Sequence, residues 1–436
     1  MKADIAIIGG GAAGMTAAIF SKRRCQDADI VILERLERPG KKLLATGNGR
    51  CNYTNVNVSN TNYHGKNPEF AGFALKAFSN EDAVAFFREL GVFPRVEEDG
   101  KIFPFSGNAS SVLDALRFEL DRLGVAILTG FYAISLFKSG DGFTIRDNCG
   151  NHVAAAKVIV AAGGKASPFL GSDGSGYSLL ASLGHHCTDL VPAITQIKTE
   201  GNDVKPLQGI KIVGNASALH KGKIISTIYG DVLFTSYGLS GPPVFQLSSK
   251  VAENICDDIS LDLMPEYAHD AVYNILLERR NSLSHLTMEN FFSGLVNKRI
   301  GNLIARRAGI EKLSYPVSRL TDGMLHSMAS LIKDLRFKVA GVNGWENAQV
   351  TAGGILTSEF NPRTMESLLV HGLYAAGEIL DIFGDCGGFN LQWAWSSGYL
   401  AGISAAESLK PNREEANDKD IEYKSYSALF GRKAAE

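Results

Sequence analysis

The chain has 436 residues, of which 45% are hydrophobic and 21% charged, with a formal net charge of −2. These proportions exclude a largely disordered chain, and the near-balanced charge excludes a whole-molecule electrostatic footprint for nucleic acid or an anionic membrane. At this length two or three domains are expected.

Six cysteines (25, 51, 149, 187, 256 and 386) are dispersed, with no CxxC and no His/Cys pairing at metal-ligand spacing, so no metal site is expected. A reducing, cytoplasmic setting follows. The start MKADIAIIGGGAAGMTAAIF looks superficially like a signal peptide, but Asp4 interrupts its positive end and three glycines split its apolar run. No uninterrupted apolar segment approaches the roughly 18 to 20 residues that span a bilayer.

The first element is an apolar strand over 5–8, followed by Gly9, Gly10, Gly11, Ala12, Ala13 and Gly14 and a small-residue helix. A second apolar strand over 30–33 ends in Glu34, 20 residues after Gly14. Strand, glycine turn, helix, strand and acid in this order are the dinucleotide fingerprint. Gly9 permits the tight turn, Gly11 lets backbone approach a pyrophosphate and Gly14 lets helix pack on strand. Glu34 accepts from a ribose diol, and the helix N-terminus offers N–H groups and a positive dipole end. FAD and NAD are both compatible with this unit.

Residues 46–55, TGNGRCNYTN, hold no large aliphatic side chain. Gly47 and Gly49 weaken any helix or strand, so the stretch reads as a loop against a ligand or at a tight turn. Cys51 stands beside Arg50, which raises the question of a lowered thiol pKa, but no second cysteine lies near in sequence and a packing or ligand-contact role is expected.

A strand over 157–161 runs into Ala162 and Gly163, the small residues a sheet needs where its carboxyl end faces a bulky ligand. Near the C-terminus, GLYAAGE (372–378) carries Gly377 and Glu378, and Gly387 and Gly388 precede a helix over 389–401. The N–H groups of that helix's first turn suit a carbonyl or anion, and the natural client in a flavoenzyme is the flavin pyrimidine edge. Three such segments at the start, middle and end of the chain predict one composite domain with an insertion.

Between about 191 and 336 the pattern changes. Short β-like runs occupy 209–213, 223–229 and 259–263, and helical spacing follows from 265 to about 335. Residues 265–338 hold 11 Lys and Arg against 7 Asp and Glu, with doublets at 279/280, 298/299 and 306/307. Solvated helix faces are the expected reading of these doublets, an RNA surface the rival. His185 and His186 follow a glycine at a predicted helix end, where positive charge is favourable. His64, Tyr63 and Tyr237 stand out as candidate site side chains, and a polar, charged tail (411–436) closes the chain.

With these segments assembled, the sequence resembles the BaiN-like NAD(P)/FAD-dependent oxidoreductases, a family that includes aminoacetone oxidase-like flavoproteins. The matching stretches are IIGGGAAGM, PGKKLLATGNGRCNYTN, GKIFPFSGNASSVLDAL, VIVAAGGKASPFLGSDGSGY, GDVLFTSYGLSGPPVFQLS, VTAGGI and GLYAAGEILDIFGDCGGFNLQWAWSSGYLAG. The resemblance implies an α/β fold: a two-dinucleotide-binding-type Rossmann FAD domain (1–190 and 337–410) with an inserted β domain (191–263) and a helical cap (264–336). It implies FAD held on the ADP side by Gly9, Gly11, Ala12, Ala13, Gly14, Glu34 and Arg35, with Ala133 near the adenine. Lys42, Thr46, Gly47, Gly49, Arg50, Cys51 and Asn52 would follow the dinucleotide toward the ring. Ala162, Gly163, Gly377 and Glu378, the last in place of the usual ribitol-binding acid, would adjoin it, and Gly388, Phe389, Asn390 and Leu391 would lie along the pyrimidine side.

The implied activity is hydride exchange between flavin and a small organic substrate, with NAD(P)H as a transient reductant because no second GxGxxG unit is evident. An amine or aminoketone oxidase using oxygen and an RNA-modifying flavoprotein are the alternatives. One departure stands out: the family usually has histidine in LFT-H-x-G-x-SGP, and this chain has Ser236, a poor general acid at neutral pH. No catalytic residue, membrane partner or oligomeric state is assigned, and nucleic acid is not expected as a partner.

Overall fold

The computed structural model describes residues 1–409; the tail over 411–436 lies outside them. The chain divides into two compact units, one of Met1–Val191 with the segment from Val350 onward, the other of Pro192–Gln349. No helix among the described residues is long and apolar enough to cross a membrane.

The first unit is built on a seven-stranded sheet. The elements in chain order are β1 (Lys2–Ile8), α1 (Ala12–Arg24), β2 (Ile30–Leu33), α2 (Lys41–Ala45), β3 (Thr54–Asn55), β4 (Tyr63–His64), α3 (Ala71–Ala77), α4 (Asn80–Glu89), β5 (Pro94–Val96), β6 (Lys101–Pro104), α5 (Ala109–Leu123), β7 (Ala126–Leu128), β8 (Ala133–Ser139), β9 (Gly142–Asp147), β10 (His152–Val160) and α6 (Ser175–Ala181). β11 (Val191–Ala193) leads out of this run, and β18 (Val350–Ala352), β19 (Leu373–Ala375), β20 (Phe383–Gly384) and α12 (Phe389–Glu407) complete it.

Strand order is β7-β2-β1-β10-β9-β8, with β19 beside the second half of β10. β7, β2, β1, β10 and β19 run parallel, and β8 and β9 form an antiparallel hairpin at one edge. Parallel strands covered on both faces need continuous apolar runs, and residues 30–33 (IVIL) are all buried. α1 is buried from Ala13 to Ser21, and α12 packs on it through glycines rather than through a polar face.

In the second unit β12 (Ile197–Thr199), β13 (Lys211–His220), β14 (Lys223–Phe234), β15 (Gly238–Ser240), β16 (Asp258–Asp262) and β17 (Leu335–Val342) close a barrel. Helices α7 (Pro242–Ala252), α8 (His269–Ser282), α9 (Met288–Phe291), α10 (Lys298–Arg307) and α11 (Asp322–Lys333) share its core, with Val272, Leu303 and Met328 in one cluster with Leu261 and Phe234. The strands and helices of the insertion therefore make one compact unit. The boundary expected at 337 falls inside β17, which pairs with β12 and β16, and the first unit resumes only at Val350. Nothing in the composition of RFKVAGV distinguishes a closing barrel strand from a returning Rossmann strand.

Candidate functional site

The glycines of the first turn divide by what they face. A Cβ on Gly9, whose φ is +106°, would sit 2.5 Å from the Ala161 carbonyl oxygen, and one on Gly14 would sit 1.9 Å from that of Gly9. Both glycines are required by the packing of strand and helix. Gly11 differs: its φ is −83° and a Cβ there would have no protein atom within 4 Å. It caps α1 without a side-chain bond, and the first turn of α1 holds no acid, so its N–H groups and positive dipole end are available to an anion.

Beside this turn the Glu34 carboxylate is buried and accepts from Gly10 N (2.9 Å) and Leu36 N (2.8 Å). Burial pushes its pKa up, against the pull of those N–H groups and of Arg35. Arg35 pairs with Asp173 and donates to the Pro168 carbonyl (3.2 Å), while its buried Nε has no partner. Phe131 N donates to the Glu34 carbonyl (2.9 Å), which brings the start of β8, and Ala133, to the same strand end.

Ala162 and Gly163 follow β10, and Gly377 (φ +78°) lies so close to α1 that its Cβ would be 2.9 Å from that of Ala13. Gly377 is pinned by its N–H to Ser397 Oγ (2.9 Å) and by Trp393 Nε1 to its carbonyl (3.0 Å). The neighbouring Glu378 bonds Lys42 Nζ (2.9 Å) and Thr351 N (2.7 Å).

The loop over 46–55 winds through left-handed backbone at Gly47, Asn48, Gly49 and Cys51. Cys51 N donates to the Thr46 carbonyl (2.9 Å), and Arg50 pairs with Glu97 while lying 4.1 Å over the Phe103 ring. Arg50 therefore does nothing for the thiol of Cys51. That thiol is fully buried, and burial pushes its pKa up to about 12, so the sulfur packs as an inert group.

Three bonds fasten this loop to α12 and the turn before it. Trp395 Nε1 donates to the Tyr53 carbonyl (2.8 Å), Thr54 Oγ1 to Gln392 Oε1 (2.6 Å) and Asn55 Nδ2 to the Gly387 carbonyl (2.9 Å). Gly388, at φ +101°, is pressed between them: a Cβ there would be 2.5 Å from the Thr54 carbonyl oxygen and 2.9 Å from Asn52 Oδ1. Phe389 is buried, Leu391 is half-buried, and the Asn390 amide is engaged in the preceding turn, accepting from Gly384 N (2.7 Å) and donating to its carbonyl (2.8 Å). What Asn390 can still offer a ligand is its backbone N–H.

These positions bear directly on FAD. Asn52 Oδ1 is buried and lacks a donor, and it stands against an α12 N-terminus with neither a side-chain cap nor an acid in its first turn. An unmet acceptor beside unmet donors suits a ligand edge with an N–H next to a carbonyl, as the flavin pyrimidine ring presents. All the cofactor-binding residues expected from the sequence lie in one unit. Gln392, with Nε2 on the Phe78 carbonyl (3.0 Å) and Ser396 Oγ (2.9 Å), and the buried Trp393 and Trp395 were not expected among the site residues, Trp395 being read only as part of an apolar helix face. Their signal was present: a glutamine and two tryptophans on a helix with no polar face need buried partners.

The HI0933-like protein Rossmann domain model matches residues 3–404. The chain belongs to the HI0933-like family. Within it, a 3-dehydro-bile acid delta(4,6)-reductase of Clostridium scindens is 40% identical over 92% of this chain and 99% of its own length. A ribosomal RNA dihydrouridine synthase of Escherichia coli is 30% identical over 91% and 96%. Among solved structures, the 3-ketosteroid delta1-dehydrogenase of Sterolibacterium denitrificans covers 93% of this chain and 100% of its own at 13% identity, with a TM-score of 0.49.

Three further sequence expectations meet their outcome here. His185 does lie at a helix end, its N donating to the Leu180 carbonyl (3.2 Å) after α6, but it is buried, which disfavours its charged form, and it bonds Glu359 (2.9 Å) and Ser367 Oγ (3.0 Å). Ser236 is exposed on the turn between β14 and β15, and its neighbour Tyr237 accepts a bond from Asn343 Nδ2 (3.2 Å). The basic doublets are largely spent within their own unit: Arg279 on the carbonyls of Phe291 and Ser293, Arg280 on Asp322, Lys298 on Glu289, Arg307 on Asp203.

Proposed function

We propose that this FAD-dependent oxidoreductase reduces a carbon–carbon double bond conjugated to a carbonyl in a small polycyclic substrate, with NAD(P)H as its reductant. The two named activities among its relatives act on different molecules, yet the steroid ring bond and the uracil ring bond they saturate are both conjugated to a carbonyl. FAD, when bound, supplies the hydride for such a step.

The chain's own residues bind and orient it. The first turn of α1 would take the pyrophosphate, Glu34 the adenosine ribose, and Glu378 with Lys42 the ribitol side. Asn52 and the α12 N-terminus would take the pyrimidine edge, where negative charge develops on reduction, so the helix favours the reduced ring. The observation that carries the cofactor assignment is the unpartnered Asn52 Oδ1 set against that uncapped helix.

The steroid-like substrate is favoured over RNA by the 40% relative and by the internal use of the basic doublets. RNA remains the second reading, favoured by the 30% relative. The test is anaerobic. Holoenzyme reduced with dithionite is mixed with 4-androstene-3,17-dione or with a uridine-containing oligonucleotide, and recovery of the yellow flavin is followed. Recovery with the steroid alone supports the proposal, recovery with the oligonucleotide alone supports the second reading, and recovery with neither overturns both.

A further inference from the structure

We infer that His64, oriented by Asp385, is the proton donor of this reduction. The inference rests on the chain acting as a reductase of conjugated double bonds, a reaction that needs an acid as well as a hydride.

His64 lies on β4, which pairs antiparallel with β20 just before the turn into α12. Its Nε2 meets Asp385 Oδ1 at 2.8 Å, and its ring stands 5.3 Å from that of Phe383. Asp385 is itself fixed: its N donates to the Asn62 carbonyl (2.9 Å), its Oδ2 accepts from Asn62 Nδ2 (3.3 Å), and its carbonyl accepts from Asn390 Nδ2 (3.2 Å). Tyr63 on the same strand donates its hydroxyl to the Phe389 carbonyl (3.1 Å). Both members of the pair are thus tied to the first turn of α12, the turn offered to the flavin ring.

Three other protonable groups there are unsuited. The Cys51 thiol is buried with its pKa pushed up to about 12, and the Tyr63 hydroxyl is buried and committed to a carbonyl. Asp381 is buried with its Oδ2 on Lys66 N (3.0 Å). The His64 side chain is 43% exposed and keeps one ring nitrogen beyond the Asp385 bond. A carboxylate on one imidazole nitrogen fixes the tautomer and aims the other, as in general acid–base pairs.

In the step the His64 ring, protonated on both nitrogens, gives up its Nδ1–H and is left neutral, and a C–H bond forms at the substrate carbon next to the carbonyl. The adjacent β carbon receives hydride from the reduced cofactor, whose electron pair came from NAD(P)H. Nε2–H stays on Asp385, and water returns the proton to Nδ1.

The test uses dithionite-reduced holoenzyme, wild type and His64→Ala, in single turnover with 4-androstene-3,17-dione. The variant should reoxidise about 100-fold more slowly, the loss expected for a missing general acid. Its flavin content and the difference spectrum of the steroid bound to oxidised enzyme should be unchanged. Added imidazole should restore part of the rate, which a packing role would not allow, and Asp385→Asn should lose less than His64→Ala. A wild type that reoxidises beside an equally fast His64→Ala overturns this inference alone. A wild type unaffected by the steroid overturns it together with the steroid reading.

Discussion

A Cβ on Gly398 would stand 2.5 Å from the carbonyl oxygen of Ala13, and one on Gly402 would stand 2.4 Å from that of Ala17. The last helix of the fold therefore lies backbone against backbone on the first. Two glycines one turn apart permit this, and it is what brings the α12 N-terminus to the same region as the glycine turn of α1. Gly398→Ala should cost about 1–3 kcal/mol, as added methyl groups in filled interiors do. Urea unfolding of the purified protein measures this, and an unchanged midpoint would mean that the helices can part without loss.

Cys51 is a second point of decision. With its thiol buried and pushed up to about 12, it should resist iodoacetamide at pH 8 in the native protein while the exposed Cys149 and Cys187 are alkylated. Mass spectrometry of tryptic peptides reads this directly. Modification of Cys51 at a rate matching the exposed cysteines would show a thiolate that this account excludes.

His185 gives a pH prediction. Burial pushes its pKa below the usual imidazole value, outweighing the Glu359 carboxylate, whose charge also serves His186 at 2.7 Å. The folded chain then binds fewer protons here than the unfolded chain. The contribution to stability is present above the unfolded value, about 6.5, and is lost as pH falls from there through the lower folded value. The stability advantage of wild type over His185→Gln should shrink as pH is lowered from about 7.5 to about 5.5. Denaturant melts at several pH values measure it, and an advantage that grows toward acid would mean that the imidazolium is the buried form.

Arg279 is predicted to matter for folding and not for RNA. Its guanidinium serves the Phe291 carbonyl at 2.6 Å and the Ser293 carbonyl at 2.8 Å, so Arg279→Ala leaves carbonyls unserved and should cost about 1–3 kcal/mol. Retention of oligonucleotide on a filter at rising salt should not differ from wild type. A variant that is fully stable but loses salt-dependent retention would restore the RNA surface as the meaning of the doublets.

Much of the first unit was legible because its constraints are local. The glycine turn, the strand ending in Glu34 and the run from Gly387 into a helix each carry their signature within some fifteen residues, and those residues sit where local rules put them. The connections between them were not legible. Nothing in TGNGRCNYTN announces that Thr54 meets Gln392 or that Asn55 meets Gly387, since these bonds span more than 330 positions. Residue type left open whether Arg50 acts on Cys51, for which packing was expected; the fold turns Arg50 to Glu97 and buries the thiol. The same blindness to long-range pairing placed the boundary at 337, inside a strand that the barrel needs.

The central claim is that the turns of α1, the 46–55 loop and α12 converge to hold FAD. Gly11 tests it most directly, because its extended backbone suits any residue and a Cβ there meets no protein atom, so only a ligand has reason to exclude a side chain. FAD titration of wild type and Gly11→Val, followed by flavin fluorescence with circular dichroism as the check on folding, is the measurement. The account predicts a variant folded like wild type with FAD affinity reduced at least about 100-fold, or roughly 2.7 kcal/mol. A folded Gly11→Val that binds FAD as wild type does, or a wild type that does not bind it, would contradict the account.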